Sequence, residues 1–218
     1  MLHSFYRFLA FGTVLSPKGA VEFRKDTLHE YNKERTVGSC HRCSRGIGKA
    51  IAEALAEAGY HLILTCSHTL PDLQEVAACL EEKYGITCTA MAADASEPAA
   101  IEKVFASLDH LDVLVNNAGI SYIGLLTDMS VEEWQHVLNT NLSSCFYTSR
   151  LAVPLMLLKH SGRIINISSV WGNVGASMEV AYSASKGGVN SFTKALAKEL
   201  APSNIQSTPS PAVLLILP

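Results

Sequence analysis

From residue 44 onward, the sequence alternates between stretches with helical periodicity and short apolar runs, and this alternation limits the fold more than any other feature. Apolar side chains recur every three or four positions from Ile47 to Ala58, which predicts a helix that ends at Gly59. The next run, 61–66, has the character of a buried strand. Strands connected by helical crossovers form a parallel sheet with helices on both faces. We therefore predict an α/β fold in which a doubly wound parallel sheet is the middle of three layers.

The same alternation continues through the rest of the chain, up to the last dozen or so residues. It predicts further helices over 70–84, 97–107, 131–159 and 180–200, and further strands over 87–92, 112–116 and 163–168. With 218 residues, 48% of them hydrophobic, the chain suits one α/β domain with a sizeable core. The net charge of −3 gives no reason to expect nucleic acid or a membrane as a partner. The apolar stretch 5–15 is short and contains Arg7, so we expect neither a signal peptide nor a membrane span.

The placement of the six cysteines indicates the cellular compartment. A reduced cysteine within an apolar pattern acts as a small hydrophobic residue, and four cysteines are placed in this way: Cys66, Cys79, Cys88 and Cys145. Reduced cysteines are typical of a cytoplasmic protein, which we expect here. Cys40 and Cys43 have the spacing of a redox or metal pair, but no second pair of ligands follows. We therefore treat that spacing as chance and expect no metal site.

Two segments with small residues stand where a dinucleotide would be bound. The first, 44–48 with the sequence Ser-Arg-Gly-Ile-Gly, opens the first predicted helix. Glycines there allow the backbone to approach a pyrophosphate at the helix N-terminus, although glycine pairs before helices are common. The second, 116–119 with the sequence Asn-Asn-Ala-Gly, follows a predicted strand, and the carboxyl ends of parallel strands form the ligand crevice. An ordinary turn after a strand is the alternative.

Tyr182 and Lys186 are four residues apart, which places both on one face of a predicted helix. A nearby ammonium group favours tyrosinate, and lowering a tyrosine pKa from ~10 to ~7 takes roughly 4 kcal/mol. Such a tyrosine serves as an acid or base near neutral pH, but most pairs with this spacing are solvated. Ser169 follows a predicted strand and fits a turn equally well. Asn141 is a polar residue within a long apolar helix, where a capping or solvent-facing role is the alternative.

The order of these motifs is more specific than any one of them. Glycine-rich turn, Asn-Asn-Ala-Gly, helical Asn141, strand-end Ser169 and the Tyr182–Lys186 pair follow one another as they do in the short-chain dehydrogenase/reductase family. The resemblance covers 44–206 and implies a Rossmann fold. Within the family, the chain is most similar to the β-ketoacyl-acyl-carrier-protein reductases, through segments such as Leu-Val-Asn-Asn-Ala-Gly-Ile and Gly-Arg-Ile-Ile-Asn-Ile-Ser-Ser.

The resemblance implies a role for each of these side chains. Tyr182 gives a proton to the substrate carbonyl oxygen while a nicotinamide delivers hydride to the carbon. Lys186 lowers the pKa of Tyr182 and holds the nicotinamide ribose, Ser169 binds the carbonyl oxygen, and Asn141 helps to anchor a water that resupplies the proton. The implied cofactor site also includes Tyr182 and Lys186; its other members are Ser44, Arg45, Gly46, Ile47, Gly48, Asp94 (at the adenine), Asn117, Ala118 and Gly119.

The residues after the second strand of the family's fold indicate which dinucleotide is bound. NAD-selective sites carry an acidic residue there for the ribose 2′-hydroxyl, whereas 64–68 reads Leu-Thr-Cys-Ser-His. Arg45 is able to pair with a 2′-phosphate. We therefore expect NADP(H). Trp171 and Met178 lie in the loop 170–179, where they either shape an acyl pocket or serve only in packing.

Both ends of the chain depart from the family pattern. Arg42 stands where the family has its first glycine, and 37–43 lacks the family's first strand. A shift of one base within the codons for 37–43 permits Ala-Leu-Val-Thr-Gly-Ala before Ser44, and one base inserted before Ser207 restores a family-like continuation. We therefore expect 1–43 to be a disordered or misread segment, 44–206 the reductase domain, and 207–218 a tail outside the family. The sheet would then be incomplete at its first strand and C-terminus, and the chain marginally folded and largely inactive.

The function expected from the resemblance is NADPH-dependent reduction of a 3-oxoacyl thioester, as in fatty-acid synthesis. The substrate would be a small molecule or would be linked to acyl-carrier protein. The alternative within enzymes is a reductase of acetoacetyl-CoA, a sugar or another ketone. The alternative of a different class is a truncated, catalytically dead remnant. Family members commonly form tetramers through helices that correspond to 131–159 and 180–200, so a homotetramer is expected if the ends are restored.

Overall fold

The computed structural model describes residues 7–11, 37–38 and 46–211, with side chains described over 46–209. The strands are β1 (Arg7–Phe11), β2 (Val37–Gly38), β3 (His61–Cys66), β4 (Cys88–Ala92), β5 (Val113–Asn116), β6 (Gly162–Ser168) and β7 (Ile205–Pro211). The helices are α1 (Gly46–Glu57), α2 (Leu70–Tyr84), α3 (Pro98–Phe105), α4 (Val131–Leu138), α5 (Ser144–Leu157), α6 (Trp171–Val174) and α7 (Val180–Leu200). The predicted alternation of helices and strands is confirmed, with boundaries within two residues of those expected, except that the stretch 131–159 is divided into α4 and α5.

The seven strands form one sheet in which every pairing is parallel. The order is β2-β3-β1-β5-β6-β7, and β4 pairs with β3. The register places Leu114 of β5 opposite Ile164 of β6. Because all strands run the same way, their carboxyl ends lie along a single edge of the sheet, where the polar segments after β5 and β6 meet.

The centre of the sheet differs from what the sequence predicts. We expected the first strand to be missing, but β1 lies between β3 and β5, with Phe8 opposite Leu62 on one side and Val113 on the other. A parallel ladder is made by backbone groups, so an extended segment is able to fill this position without the family's side chains. At the other end, β7 pairs with β6 beyond the expected domain limit at 206. The remainder of 1–43 and residues 212–218 lie outside the described part of the chain.

The core lies on both faces of the sheet. All six residues of β3 are buried, which explains why its central residues 62–64 are apolar in succession, without alternation. The helices cover the sheet with one apolar face each; in α2 this face consists of Leu73, Val76, Ala77 and Leu80. Helix α2 ends at Gly85, whose φ of +66° lies in the left-handed region and whose N–H donates to the carbonyl of Glu81.

Helices α4 and α5 do not form the single regular helix that we predicted over 131–159. A capping box between Ser130 and Glu133 starts α4. The two helices are joined by a five-residue π turn, Asn139–Ser143, and the second ends at Leu157. A π turn has one extra residue per turn, so it rotates the following side chains relative to a regular helix, and such turns are frequent at functional sites.

Three of the four described cysteines are buried, as predicted, whereas Cys79 is exposed on α2. The apolar pattern around Cys79 belongs to neighbouring positions of the helix, so its sulfur faces the opposite side. The free thiols within 46–211 form no disulfide. Among the described residues, no helix combines the length and the apolar character needed to cross a membrane.

Candidate functional site

The segment after β5 lies at the carboxyl edge of the sheet and is buried. Asn117 is fully buried, Ala118 is 7% exposed, and Gly119 is also buried. Helix α1 begins at Gly46, whose φ of +68° favours a residue without a side chain, and Gly48 is buried two residues further into the helix. Ile47 packs against the core. Ser44 and Arg45 lie outside the described residues, so their predicted contacts stay predictions.

Tyr182 and Lys186 lie one turn apart on α7, as predicted, but neither is solvated. Tyr182 is 7% exposed and Lys186 is fully buried. The Nζ of Lys186 lies 5.8 Å from the ring centroid of Tyr182 and donates a hydrogen bond of 2.7 Å to the main-chain oxygen of Ile167. Burial penalises the ammonium form and lowers the pKa of Lys186 to about 8. Helix α7 is thus fixed to the end of β6 by the lysine.

The half-buried Ser169 stands directly after β6, and a hydrogen bond joins its side chain to that of Tyr182. Burial raises the pKa of Tyr182 above its ordinary value, the bond to Ser169 lowers it, and the charge of Glu179 raises it again. The net direction is upward. Lys186 is not among the causes of this shift, so its predicted lowering of the Tyr182 pKa stays a prediction. Tyr182 is kept as a protonated phenol, the form that gives a proton.

Asn141 lies in the π turn and is fully buried. Its Oδ1 accepts from the N–H of Ile120 at 2.8 Å, while its Nδ2 donates to the carbonyl of Ile120 at 2.9 Å and to Oγ of Ser185 at 2.9 Å. Both amide hydrogens are therefore used within the protein. The side chain holds the loop after β5 against α7, between Tyr182 and Lys186, and neither of the alternatives of capping or facing water applies. Its predicted part in anchoring a water stays a prediction.

A buried polar network that sequence reasoning missed lies beneath this cluster. Asn116 and Asn166 are register partners on β5 and β6, and Nδ2 of the first donates to Oδ1 of the second at 2.7 Å. Thr148 of α5 donates to Asn116 at 2.8 Å, and Asn166 donates to Thr193 of α7 at 2.9 Å. The network ties the two strands to the two helices that carry the site. The sequence feature that could have indicated this network is the presence of one asparagine in each of these two apolar strands.

Asp94 follows β4 at the same edge of the sheet, but the structure does not bring it into contact with the Tyr182 cluster. Its Oδ1 accepts from the N–H and the hydroxyl of Ser96, each at 2.8 Å. A cavity of about 660 Å³ opens nearby between α1 and α2; its lining includes Lys49, Ser67, His68, Thr69, Asp72 and Glu75. Lys49 was missed by sequence reasoning, although it stands four residues after Arg45 on the helix that the glycine turn opens.

The loops on either side of the cluster are joined and carry exposed apolar side chains. The N–H of Gly124 donates to the carbonyl of Met178 at 2.9 Å. Trp171 and Met178 are 40% and 46% exposed, and Ile123 is 71% exposed. Among the residues that the structure describes, no three His, Cys, Asp or Glu side chains are grouped so as to bind a metal ion.

Comparison with known families and proteins gives one consistent result. The model of the short chain dehydrogenase family matches residues 42–209, close to the limits predicted from the sequence. A 3-oxoacyl-[acyl-carrier-protein] reductase, FabG, of Aquifex aeolicus is 40% identical over 166 residues, which are 74% of this chain and 66% of that protein.

Two solved structures are similar to the chain as well. L-sorbose reductase from Gluconobacter frateurii, complexed with NADPH and L-sorbose, superposes with a TM-score of 0.75 at 30% identity and covers 78% of this chain and 66% of its own. A metagenomic short-chain oxidoreductase in complex with NADP superposes with a TM-score of 0.74 at 33% identity, covering 78% and 79%. The chain thus spans about two thirds of the Aquifex and Gluconobacter proteins and nearly four fifths of the metagenomic one.

Proposed function

The chain belongs to the short-chain dehydrogenase family of oxidoreductases, and on that premise we propose that it reduces the ketone of a 3-oxoacyl thioester with NADPH. The observation that carries the proposal is the cluster of Ser169, Tyr182 and Lys186 at the carboxyl edge of the sheet. A protonated phenol bonded to Ser169, beside a buried ammonium group, is suited to give a proton to a carbonyl oxygen.

The residues at the carboxyl edge fit a nicotinamide dinucleotide. Gly46 allows the backbone at the start of α1 to approach a pyrophosphate, and the segment 117–119 follows β5 at the same edge of the sheet. No acidic residue follows β3 before Thr69, and Lys49, Ser67 and His68 line the adjacent cavity. These groups favour a 2′-phosphate over a free 2′-hydroxyl, and the two NADP(H)-bound relatives support the same choice. We assign Arg45 to this phosphate as well, and Ser44 and Ile47 to the turn.

In the proposed reaction the dinucleotide supplies hydride to the carbonyl carbon. The hydroxyl of Ser169 donates a hydrogen bond to the carbonyl oxygen, and the phenol of Tyr182 gives it a proton as negative charge develops there. Lys186 has a pKa of about 8, so most molecules carry the ammonium form at neutral pH. Its charge stabilises the phenolate that remains after proton transfer, and we assign its remaining N–H groups to the ribose hydroxyls of the nicotinamide half. Asn141 holds the loop after β5 in place, and we propose that it also positions the water that returns a proton.

The exposed side chains beside the cluster support an acyl substrate. Ile123, Trp171 and Met178 present exposed apolar surface in the segments before α4 and α7, whereas a sugar would need polar partners there. The similarity to FabG of Aquifex aeolicus supports a substrate linked to acyl-carrier protein and a role in fatty-acid synthesis. A sugar or another small ketone is the alternative, and a chain that binds nucleotide without turnover is the alternative of a different class.

Two further parts of the proposal concern the assembly and the compartment. For the chain with its ends restored, we propose a homotetramer that uses α4, α5 and α7, where Phe146 is 50% exposed. We also propose a cytoplasmic protein, which is supported by the buried free thiols of Cys66, Cys88 and Cys145.

The proposed function is tested by following NADPH oxidation by the purified chain with acetoacetyl-CoA, with an acyl-carrier-protein-linked 3-oxoacyl chain and with L-sorbose. We expect turnover of the thioesters, a higher kcat/KM for NADPH than for NADH, and loss of activity in Tyr182→Phe. Turnover of L-sorbose alone would favour the alternative substrate class. Binding of NADPH without turnover of any ketone would support the remnant, and a second preparation with a family-like strand before Ser44 would show whether the N-terminal segment is responsible.

A further inference from the structure

Helix α6 approaches the backbone of α7 more closely than any residue with a side chain would allow. A Cβ added to Gly172 would lie 2.6 Å from the carbonyl carbon of Lys186, 2.8 Å from its oxygen and 2.9 Å from the nitrogen of Gly187. These neighbours are backbone atoms, so they have no rotamer through which to move away. The contact is reciprocal, because a Cβ on Gly187 would lie 3.2 Å from the carbonyl oxygen of Gly172.

Two hydrogen bonds fix α6 on either side of this contact. Nδ2 of Asn190 donates to Oδ1 of Asn173 at 2.9 Å, and the N–H of Ala176 donates to Oγ of Ser183 at 3.0 Å. The positions that α7 uses are 183, 186, 187 and 190, which is the spacing of a single helix face. Helix α6 is therefore attached along two turns of α7, next to the residues that carry the proposed chemistry.

Ser169 is held by α6. Its carbonyl accepts from the N–H of Gly172 at 3.1 Å, and its Oγ accepts from the N–H of Trp171 at 3.2 Å. The same hydroxyl is bonded to Tyr182. Any change that lifts α6 from α7 therefore moves the hydroxyl of Ser169 relative to the phenol of Tyr182.

We infer that Gly172 is a positioning residue, whose missing side chain lets α6 lie against α7 and thereby sets the distance between Ser169 and Tyr182. The kinetic consequence rests on the proposed function, but the geometric consequence does not. A displacement on the order of 1 Å between catalytic groups lowers turnover by as much as ~100-fold. The bond from Ser169 to Tyr182 also lowers the pKa of the phenol, so its loss is measurable without turnover.

The test compares Gly172→Ala with Gly175→Ala. Gly175 lies directly after α6 with a φ of +73°, and a Cβ there would meet nothing within 4 Å. Both variants thus add one methyl group to the same segment, but only one of them meets α7. The titration of Tyr182 is measured from tyrosinate absorbance, as the difference between each protein and the same protein with Tyr182→Phe. The kcat for the thioester and the KM for NADPH are measured beside it.

For Gly172→Ala we expect an upward shift of the Tyr182 titration midpoint, a fall in kcat of about 10- to 100-fold, and a KM for NADPH within about twofold of the parent. For Gly175→Ala we expect lower stability from backbone strain, but an unchanged midpoint and little change in kcat. An unchanged midpoint in Gly172→Ala, or equal shifts in the two variants, would overturn the inference.

Two further variants keep the test decisive if Gly172→Ala does not fold. Asn190→Ala removes a bond between α6 and α7, and Ser183→Ala removes the bond from α7 to Ala176, just after α6; neither adds volume. The double variant is expected to shift the Tyr182 midpoint upward, and an unchanged midpoint would again overturn the inference. If the parent reduces no ketone, the proposed function fails while the titration still decides the role of Gly172.

Discussion

The Nζ of Lys186 lies 2.7 Å from the main-chain oxygen of Ile167. This fully buried ammonium group therefore donates a hydrogen bond to the end of β6, the strand that precedes Ser169. Burial shifts the pKa of this lysine downward from an ordinary value of 10.5 to about 8. The structure therefore keeps a group that burial disfavours next to the tyrosine that we propose as the proton donor. The energetic consequence is measurable as a dependence of stability on pH.

We predict that the stability cost of this buried charge is fully present below about pH 8 and disappears as the pH rises to 10.5. In this interval the unfolded chain still binds the proton while the folded chain has released it. The free energy of unfolding therefore increases with pH. The shift corresponds to roughly 3 kcal/mol. Denaturant unfolding of the parent and of Lys186→Met measures it, because the variant lacks this titration and shares the others.

The stability of Lys186→Met relative to the parent should thus be highest below pH 8 and should decline steadily up to pH 10.5. Lys198→Met, at an exposed position on the last turn of the same helix, serves as the control for replacing a lysine by methionine. A constant difference between parent and Lys186→Met across this interval would contradict the downward shift.

The titration of Tyr182 should respond in opposite directions to two neighbours. Ser169→Ala removes a bond that lowers the pKa of the phenol, so the midpoint should move up; Glu179→Gln removes a charge that raises it, so the midpoint should move down. Tyrosinate absorbance in the absence of cofactor, with Tyr182→Phe as the blank, gives both values. In the oxidation direction the phenolate is the reactive base, so the rising limb of the pH–rate profile should follow the same two shifts. Movement of both variants in one direction would contradict these causes.

The paired asparagines of β5 and β6 should be coupled in stability. Asn116→Ala leaves Oδ1 of Asn166 and the hydroxyl of Thr148 without this partner in a buried site, which costs roughly 2–5 kcal/mol. Asn166→Ala removes the acceptor of the same bond. The double variant should lose less stability than the sum of the two single losses, by about 0.5–3 kcal/mol. Gln206→Ala, at an exposed position of β7, is the control, with little expected change. Strict additivity of the two asparagine variants would show that the 2.7 Å bond contributes nothing of its own.

Most of the site was predictable because its members are defined by local spacing. Tyr182 and Lys186 share a helix face at four residues' separation, and Ser169 follows directly on a strand; both relationships need only the period of one element. The partnership of Asn116 and Asn166 depends instead on the register of two strands that are 50 residues apart. The close contact of Gly172 with α7 depends on how two helices pack, which no local pattern contains.

The π turn and the central strand were missed for related reasons. One extra residue in the turn Asn139–Ser143 leaves the apolar pattern of α4 and α5 helical, so only the hydrogen bonds reveal it. Strand β1 is separated from the rest of the family pattern and lacks its glycine motif, so the apolar stretch 5–15 gave no indication of its place between β3 and β5. Position within a sheet is set by long-range pairing, which a short apolar run does not specify.

Asn141 provides the clearest separation between fold and chemistry. Asn141→Ala leaves the N–H and the carbonyl of Ile120 without their side-chain partner and removes the bond to Ser185. Ser185→Ala removes only the bond between the side chains of Asn141 and Ser185 and the bond from Ser185 to the carbonyl of Tyr182. We expect Asn141→Ala to lower kcat by about 10- to 100-fold, because the loop after β5 is no longer held at the site. Ser185→Ala should lower kcat much less, since the loop keeps both bonds to Asn141. Steady-state kinetics with the thioester, together with thermal unfolding of each variant, separate the two effects. Equal losses in kcat for the two variants would place the importance of Asn141 in its bond to α7 instead of its hold on the loop.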